Sequence, residues 1–148
     1  MNIAAHVKNN ASIFGEKIAI SYLNKQYTYK QVWSLIMGLS DILISKGIKK
    51  GDHIGLAMKD HPLHLIAHFS IAAIGAIIVP IDHRWTEKEK ERASLIFKVK
   101  LLIMDQGHIS NVNTISLTES DIRENIHPNI EIDLNYNQDL LISLSSGT

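Results

Sequence analysis

The sequence predicts an α/β fold in which helices alternate with mostly parallel strands. Stretches with helical spacing of apolar residues are each followed by a short apolar run: "HIGLAM", "AIIVPI" and "LLIM". Strands that are apolar on both faces are typical of a parallel sheet covered by helices. The chain has 148 residues, 45% of them hydrophobic, which suits one globular domain with a sizeable core.

The first predicted elements are a hairpin and a long helix. Two β-type runs, Ile18–Tyr22 and Gln26–Thr28, flank a turn and predict the hairpin. Thr28 then stands where a helix N-cap is expected, and Gln31 completes a capping box. Gly47 follows the last residue with helical spacing and ends this helix.

A second helix and two strands follow. Gly51 permits a tight bend before a strand at His53–Met58. The run from Pro62 to Ile81 is long enough to span a bilayer, but histidines interrupt it. Its first part has a helix-like pattern of apolar residues, whereas its last part is rich in β-branched residues. We therefore predict a buried helix that begins at Pro62, a turn at Gly75 and a buried strand at Ile77–Ile81.

The last part of the chain is less regular. Thr86 and Glu89 form a capping box for a third helix, whose charged run "EKEKER" is interpreted as a solvated face. Leu101–Met104 is the next strand. The segment 110–137 is polar, with possible short strands at 114–117 and near 130–134, and Asp139–Leu144 is the final strand.

Charge and cysteine content narrow the possible partners and compartment. The 15 Lys and Arg residues balance the 15 Asp and Glu residues, so nothing suggests nucleic acid or an anionic membrane surface as a partner. There is no cysteine, which excludes disulfides and thiolate sites and is compatible with a reducing cytosol. The N-terminus does not resemble a signal peptide. We expect a cytoplasmic protein without a membrane span.

The stretch "SLSSGT" is the strongest candidate for a functional site. Its serines, glycine and threonine follow a buried strand, where hydroxyl and backbone N–H groups can donate to a phosphate. The predicted phosphate-binding residues are Ser145, Ser146, Gly147 and Thr148. The alternative is an ordinary solvated turn, and no G-x-x-x-x-G-K-[ST] loop is present.

Other polar residues have structural explanations of equal or greater weight. His61, His64 and His68 share one helix face by spacing, and the last two could bind a transition metal. No carboxylate accompanies them as in H-E-x-x-H, so a partly buried helix face is favoured and no metal site is predicted. Arg84 in "DHRW" could hold an anion, although a connector whose arginine pairs with a carboxylate is the simpler interpretation.

Taken together, these stretches resemble the N-terminal part of the acyl-adenylate-forming ligases. This AMP-binding superfamily includes acyl-CoA synthetases, luciferases and nonribosomal adenylation domains. The similarity runs through "FGEKIAISYLNKQYTYKQVWSLIMGLSDILISKGIKKGDHIGLAM", "AAIGAIIVPIDHRWTEKE", "VKLLIMD" and "DLLISLSSGT", in the family's order. The final stretch resembles the start of the family's phosphate loop, S-G-T-T-G-x-P-K-G.

The resemblance implies a fold, a reaction and its cofactors. The chain is expected to be an incomplete N-terminal AMP-binding domain over 1–148, with an α/β core at 1–105, an irregular connector at 106–138 and a strand leading into the phosphate loop at 139–148. The family uses ATP and Mg²⁺ to activate a carboxylic acid as an acyl-adenylate, which then reacts with a thiol, commonly coenzyme A. Within the family, the sequence resembles acyl-CoA synthetases more than peptide-synthetase modules.

The same resemblance predicts that this piece is inactive alone. The second half of the phosphate loop and the family's later catalytic parts are not in the sequence, so catalytic residues stay unassigned and no tight ATP binding is expected. Exposed strand edges are expected to favour aggregation. Two alternatives stay open: a non-catalytic module that binds or regulates a partner, and a small α/β binding protein whose similarity to ligases is coincidental.

Overall fold

The computed structural model describes residues 2–124, 133 and 139–142. The helices are α1 (Ile3–Phe14), α2 (Tyr29–Ser45), α3 (Pro62–Ala73), α4 (Glu87–Ile96) and α5 (Glu119–Glu124). The strands are β1 (Ile18–Tyr22), β2 (Lys25–Thr28), β3 (His53–Ala57), β4 (Ile77–Pro80), β5 (Leu101–Met104) and β6 (Thr114–Ser116).

A parallel sheet organises the fold, which confirms the predicted class. Its strand order is β4-β3-β5-β6, and all neighbouring pairs are parallel. Leu141 adds a parallel bridge to Ile78 at the β4 edge. The Ile78 amide donates to the Leu140 carbonyl at 2.8 Å, and the Ile142 amide donates to the Ile78 carbonyl at 2.9 Å. The described part of the predicted final strand therefore lies beside β4.

Apolar residues bury both faces of this sheet. On one face the core includes the inward sides of α2 and α3 together with Ala4 of α1 and Ile122 of α5. On the other face the core is smaller, and α4 contributes Ala93 to it. Successive strand residues divide between the two cores, as with Ile103 and Leu102 of β5. The apolar pattern on both strand faces thus has the predicted cause.

The local signals in the sequence specify the start of two helices. Thr28 Oγ1 accepts from the Gln31 amide at 3.2 Å, while Gln31 Oε1 accepts from the Thr28 amide at 2.9 Å. Thr86 and Glu89 form the same reciprocal pair at the start of α4. Both predicted capping boxes are confirmed, and they satisfy backbone donors that a helix start leaves open.

The apolar segment from Pro62 is divided as predicted. Pro62 is the first residue of α3, Gly75 turns the chain with φ of 73°, and β4 follows. The turn requires the left-handed backbone that glycine adopts without strain. Within the described ranges, no helix is long and apolar enough to cross a membrane.

Helix α1 was not predicted. Asn2 caps it by accepting from the Ala4 amide at 2.9 Å, and the same side chain donates to the Ala72 carbonyl at 2.6 Å. This second bond ties the cap to the end of α3, a contact between residues 70 positions apart. Such a contact leaves no periodic signal in the local sequence.

The segment predicted as an irregular connector contains regular structure up to residue 124. Strand β6 extends the sheet, in agreement with the possible strand at 114–117, and α5 follows. Thr118 Oγ1 accepts from the Asp121 amide at 3.3 Å, and Asp121 Oδ2 accepts from the Thr118 amide at 2.7 Å. No helix was predicted at this place from the sequence. Except for residue 133, the predicted strand near 130–134 lies outside the described residues.

Candidate ligand site at the carboxyl edge of the sheet

The carboxyl ends of β3, β4 and β5 meet at one edge of the sheet, because the three strands are parallel. Ligands of open α/β sheets bind in the crevices outside this edge. Pockets of about 590, 620 and 550 Å³ open along it, here named the lysine, hairpin and arginine pockets. Each is lined by residues that directly follow a strand of the sheet.

A histidine–aspartate pair separates two of these pockets. His61 Nε2 lies 2.5 Å from Asp105 Oδ1, and Asp105 Oδ2 accepts from the Lys59 amide at 2.8 Å. Partial burial alone would raise the pKa of Asp105, but the hydrogen bonds from His61 and Lys59 hold it below its usual value. Asp105 therefore carries its charge at neutral pH and fixes the loop after β3 against the end of β5.

The spacing of His61, His64 and His68 predicts one shared helix face, but in the structure His61 points away from the other two. His61 is the residue before α3 and turns to Asp105. His64 and His68 pack together with ring centroids 4.7 Å apart, and His64 Nδ1 lies 3.4 Å from Asp60 Oδ1. His68 Nδ1 is 2.9 Å from the His64 carbonyl, which can only accept, so this nitrogen carries a hydrogen.

That arrangement favours the partly buried helix face over metal binding. Burial lowers the pKa of His64, and the neighbouring His68 lowers it further, while Asp60 opposes the shift. A nitrogen that donates to a carbonyl has no lone pair for a metal. Among the residues that the structure describes, no three His, Cys, Asp or Glu side chains are placed to hold a metal ion.

Arg84 is paired with a carboxylate, as the simpler interpretation predicted. Its Nη2 lies 2.6 Å from Asp82 Oδ2, and its Nε lies 3.0 Å from Asp82 Oδ1. The hydrogen bonds from Arg84 hold the pKa of Asp82 far below its usual range. Arg84 is exposed and Asp82 is half-buried, so the pair organises the turn after β4 and adds little stability. It forms one wall of the arginine pocket.

The hairpin pocket lies between the β1–β2 hairpin and α5. Tyr27 is buried, and its hydroxyl donates to Glu119 Oε2 at 2.8 Å. Burial raises the pKa of Tyr27 to about 12, and the hydrogen bond to Glu119 adds to the rise. Sequence reasoning missed this contact because 92 positions separate its two residues.

The lysine pocket lies between the ends of β3 and β5 and the first turn of α4. Its lining contains four basic side chains from different segments and two acidic ones: Lys59, His83, Lys90, His108, Glu87 and Asp105. Lys90 departs from the predicted solvated face of the charged run, since only 8% of the residue is exposed. The tertiary structure thus places a lysine in the wall of a pocket at the ligand-binding edge.

The predicted phosphate-binding residues Ser145, Ser146, Gly147 and Thr148 lie outside the described residues. The described chain before them, 140–142, runs parallel to β4. It therefore heads toward the carboxyl edge, where the three pockets open. The assignment of a phosphate site to these residues stays a prediction.

Comparison with known sequences identifies a family and its members. The family model of the AMP-binding enzymes matches residues 7–140. A 2-succinylbenzoate–CoA ligase of Bacillus pumilus is 26% identical over 146 residues, which are 95% of this chain and 30% of that protein. A crotonobetaine/carnitine–CoA ligase of Salmonella paratyphi B is 30% identical over 98 residues, 63% of this chain and 19% of that protein. The chain thus spans less than a third of either relative.

Solved structures share the fold. The N-terminal subdomain of Klebsiella oxytoca NpsA, in complex with 3-hydroxyanthranilyl-AMSN, superposes with a TM-score of 0.85 at 18% identity. The match covers 99% of this chain and 38% of that one. The O-succinylbenzoate coenzyme A synthetase of Bacillus subtilis, in complex with AMP, gives 0.81 at 17% identity, covering 96% and 39%. At these identities the likeness is one of architecture.

Proposed function

This chain belongs to the family of AMP-binding enzymes, and from that premise we propose that it is the N-terminal part of an ATP-dependent acid–thiol ligase. The match over residues 7–140 is the observation that carries the proposal. In the proposed reaction a carboxylate attacks the α-phosphate of ATP, giving an acyl-adenylate and pyrophosphate. The thiol of coenzyme A then attacks the acyl carbon and releases AMP.

The proposed role of Ser145, Ser146, Gly147 and Thr148 is to hold the ATP phosphates. Attack of one anion on another builds negative charge on the phosphoryl oxygens, and fixed N–H and O–H donors stabilise that charge. Glycine at position 147 would allow the backbone to approach the phosphates closely. The alignment of 140–142 beside β4 supports the proposal, because the described strand leads toward the ligand-binding edge.

The described residues do not themselves fit a magnesium ion. The aspartates at the carboxyl edge are each directed to a base: Asp60 to His64, Asp82 to Arg84, and Asp105 to His61. Mg²⁺ requires oxygen ligands converging in near-octahedral geometry. We therefore assign no residue of the described chain to the metal that the family uses.

We further propose that these 148 residues do not form an adenylate alone. They span 30% of the length of the Bacillus pumilus ligase. The first test is isothermal titration of the purified chain with ATP and magnesium, together with gel filtration. We expect no binding of ATP in the micromolar range and an oligomeric or aggregated sample. Micromolar binding by a folded monomer would contradict this proposal and indicate an independent nucleotide-binding protein.

A chimera tests the proposed part of the whole enzyme. Residues 1–148 replace the aligned N-terminal segment of the Bacillus pumilus ligase, and ATP–pyrophosphate exchange is measured with that enzyme's own acid. We expect exchange above background, and its loss in the combined S145A, S146A and T148A chimera. The chimera without these three substitutions is the matched control. A chimera that melts cooperatively but shows no exchange would contradict the proposal.

A further inference from the structure

Helix α4 presents an unusual side to the sheet. Its buried residues are Lys90, Ala93 and Ser94, which share one helix face by spacing. In contrast, Leu95 and Ile96 are 59% and 60% exposed. An amphipathic helix normally turns its apolar residues inward. A buried ammonium is costly unless a counter-charge or hydrogen-bond acceptor lies beside it.

No such partner of Lys90 is found among the described residues. Its side chain forms no hydrogen bond or ion pair with them. The fully buried polar side-chain atom that lacks a partner in this part of the chain is Ser94 Oγ, not the Lys90 ammonium. The ammonium therefore keeps access to open space. Lys90 lines the lysine pocket, which is an open space beside this residue.

The surroundings of the pocket favour an anion as the missing partner. Lys59, His83 and His108 reach it from the loops after β3, β4 and β5. Of the two carboxylates, Asp105 is engaged by His61 and by the Lys59 amide. The other, Glu87, is exposed at the start of α4 and forms no ion pair with Lys90 within 4.0 Å.

We propose that the lysine pocket is a phosphoryl-binding site with Lys90 as its central cation. The residues that line this site do not include the predicted phosphate loop at 145–148, and the site does not depend on the proposed ligase function. The pocket volume of about 590 Å³ leaves room for a phosphate carried on a larger molecule. A phosphoryl group in the pocket would supply acceptors to the Lys90 ammonium, through short charge-assisted hydrogen bonds.

Equilibrium dialysis of the purified 148-residue chain with radiolabelled inorganic phosphate tests this site, whatever the oligomeric state. Ionic strength is held constant with sodium chloride, so that general screening does not change. We expect saturable binding of one phosphate per chain. Competition by unlabelled glycerol 3-phosphate at lower concentration than by inorganic phosphate would identify a carried phosphoryl group; the reverse order would identify the free ion.

Three variants decide the role of Lys90. K90M keeps the length of the side chain without its charge and should weaken binding at least about tenfold. K88M, on the exposed side of the same helix, should leave binding unchanged. E87Q removes a carboxylate that lines the pocket and should tighten binding, without altering the buried side of α4. Non-saturable uptake, unchanged binding in K90M, or weaker binding in E87Q would each overturn the proposal.

Discussion

Replacing Gly55 by alanine tests how closely the smaller core packs against the sheet. Gly55 lies in the middle of β3, where it pairs with Val79 of β4 and Leu102 of β5. A Cβ atom at this position would lie 2.7 Å from Leu102 Cδ1, 3.1 Å from Val99 Cγ1 and 3.3 Å from Ile81 Cδ1. Leu102 is fully buried, so its methyl group cannot move into solvent.

The expected cost follows from two opposing effects. Overpacking a closed core costs about 1–3 kcal/mol. Alanine also restricts the unfolded chain, which returns about 0.4–1 kcal/mol. We therefore expect Gly55→Ala to lower the free energy of unfolding by about 1–2 kcal/mol, which for a chain of this size lowers Tm by roughly 2–8 °C.

Urea unfolding followed by tryptophan fluorescence measures this change. Leu102→Val removes both δ-methyl groups, so Gly55→Ala should cost less in that background than in the original chain. Gly47→Ala is the matched control: its backbone has φ of 78° and no atom lies within 4 Å of the added Cβ, so its cost comes from backbone strain alone. Equal costs of Gly55→Ala in both backgrounds would refute the packing argument.

Three further changes test individual contacts. Thr28→Ala removes the α2 cap and should lower the free energy of unfolding by about 1 kcal/mol in urea. Burial, with the hydrogen bond to Glu119, raises the pKa of Tyr27 to about 12. The corresponding contribution to stability is present below pH 10 and is lost as pH rises from 10 to 12, and Tyr27→Phe should flatten this fall. Burial raises the pKa of Asp52, but the hydrogen bonds from Lys100 and the Lys49 amide lower it below its usual value. The fold therefore loses stability as pH falls below about 4, and Lys100→Met should reduce that loss.

Each of these changes has a control on the same kind of side chain. Thr28→Ser keeps the capping oxygen and should retain most of the stability. Tyr22→Phe removes a partly exposed phenol and should leave the alkaline slope as it is. Lys88→Met removes an exposed lysine and should not alter the acid slope. An unchanged free energy of unfolding in Thr28→Ala would contradict the assignment of the cap. A pH profile of stability that runs parallel to that of the original chain, in Tyr27→Phe or in Lys100→Met, would contradict the assignment of that contact.

The sequence predicted those features whose signals lie within a few residues. The capping boxes at Thr28 and Thr86 each involve residues three positions apart, and both are present. The division of the apolar segment after Pro62 into a helix and a strand was also predicted from its local residue pattern and from Gly75. The parallel sheet followed from strands that are apolar on both faces and alternate with helices.

The candidate site was less accessible to the same reasoning. The spacing of the histidines predicted one shared face, whereas His61 turns to Asp105, 44 positions away. The charged run predicted a solvated helix, whereas Lys90 faces the lysine pocket. The resemblance to adenylate-forming ligases predicted the family, and its phosphate loop at 145–148 remains a prediction outside the described residues.

By itself, the sequence determined the alternation of elements, their starts and the family, because caps, glycine turns and apolar periodicity act within one or two turns of chain. Only the tertiary structure decided which residues meet. Asn2 binds at the end of α3, and Tyr27 meets Glu119, through contacts that span 70 and 92 positions. Which residues surround the ammonium of Lys90 was decided in the same way, because the parallel strands bring the loops after β3, β4 and β5 to one edge of the sheet.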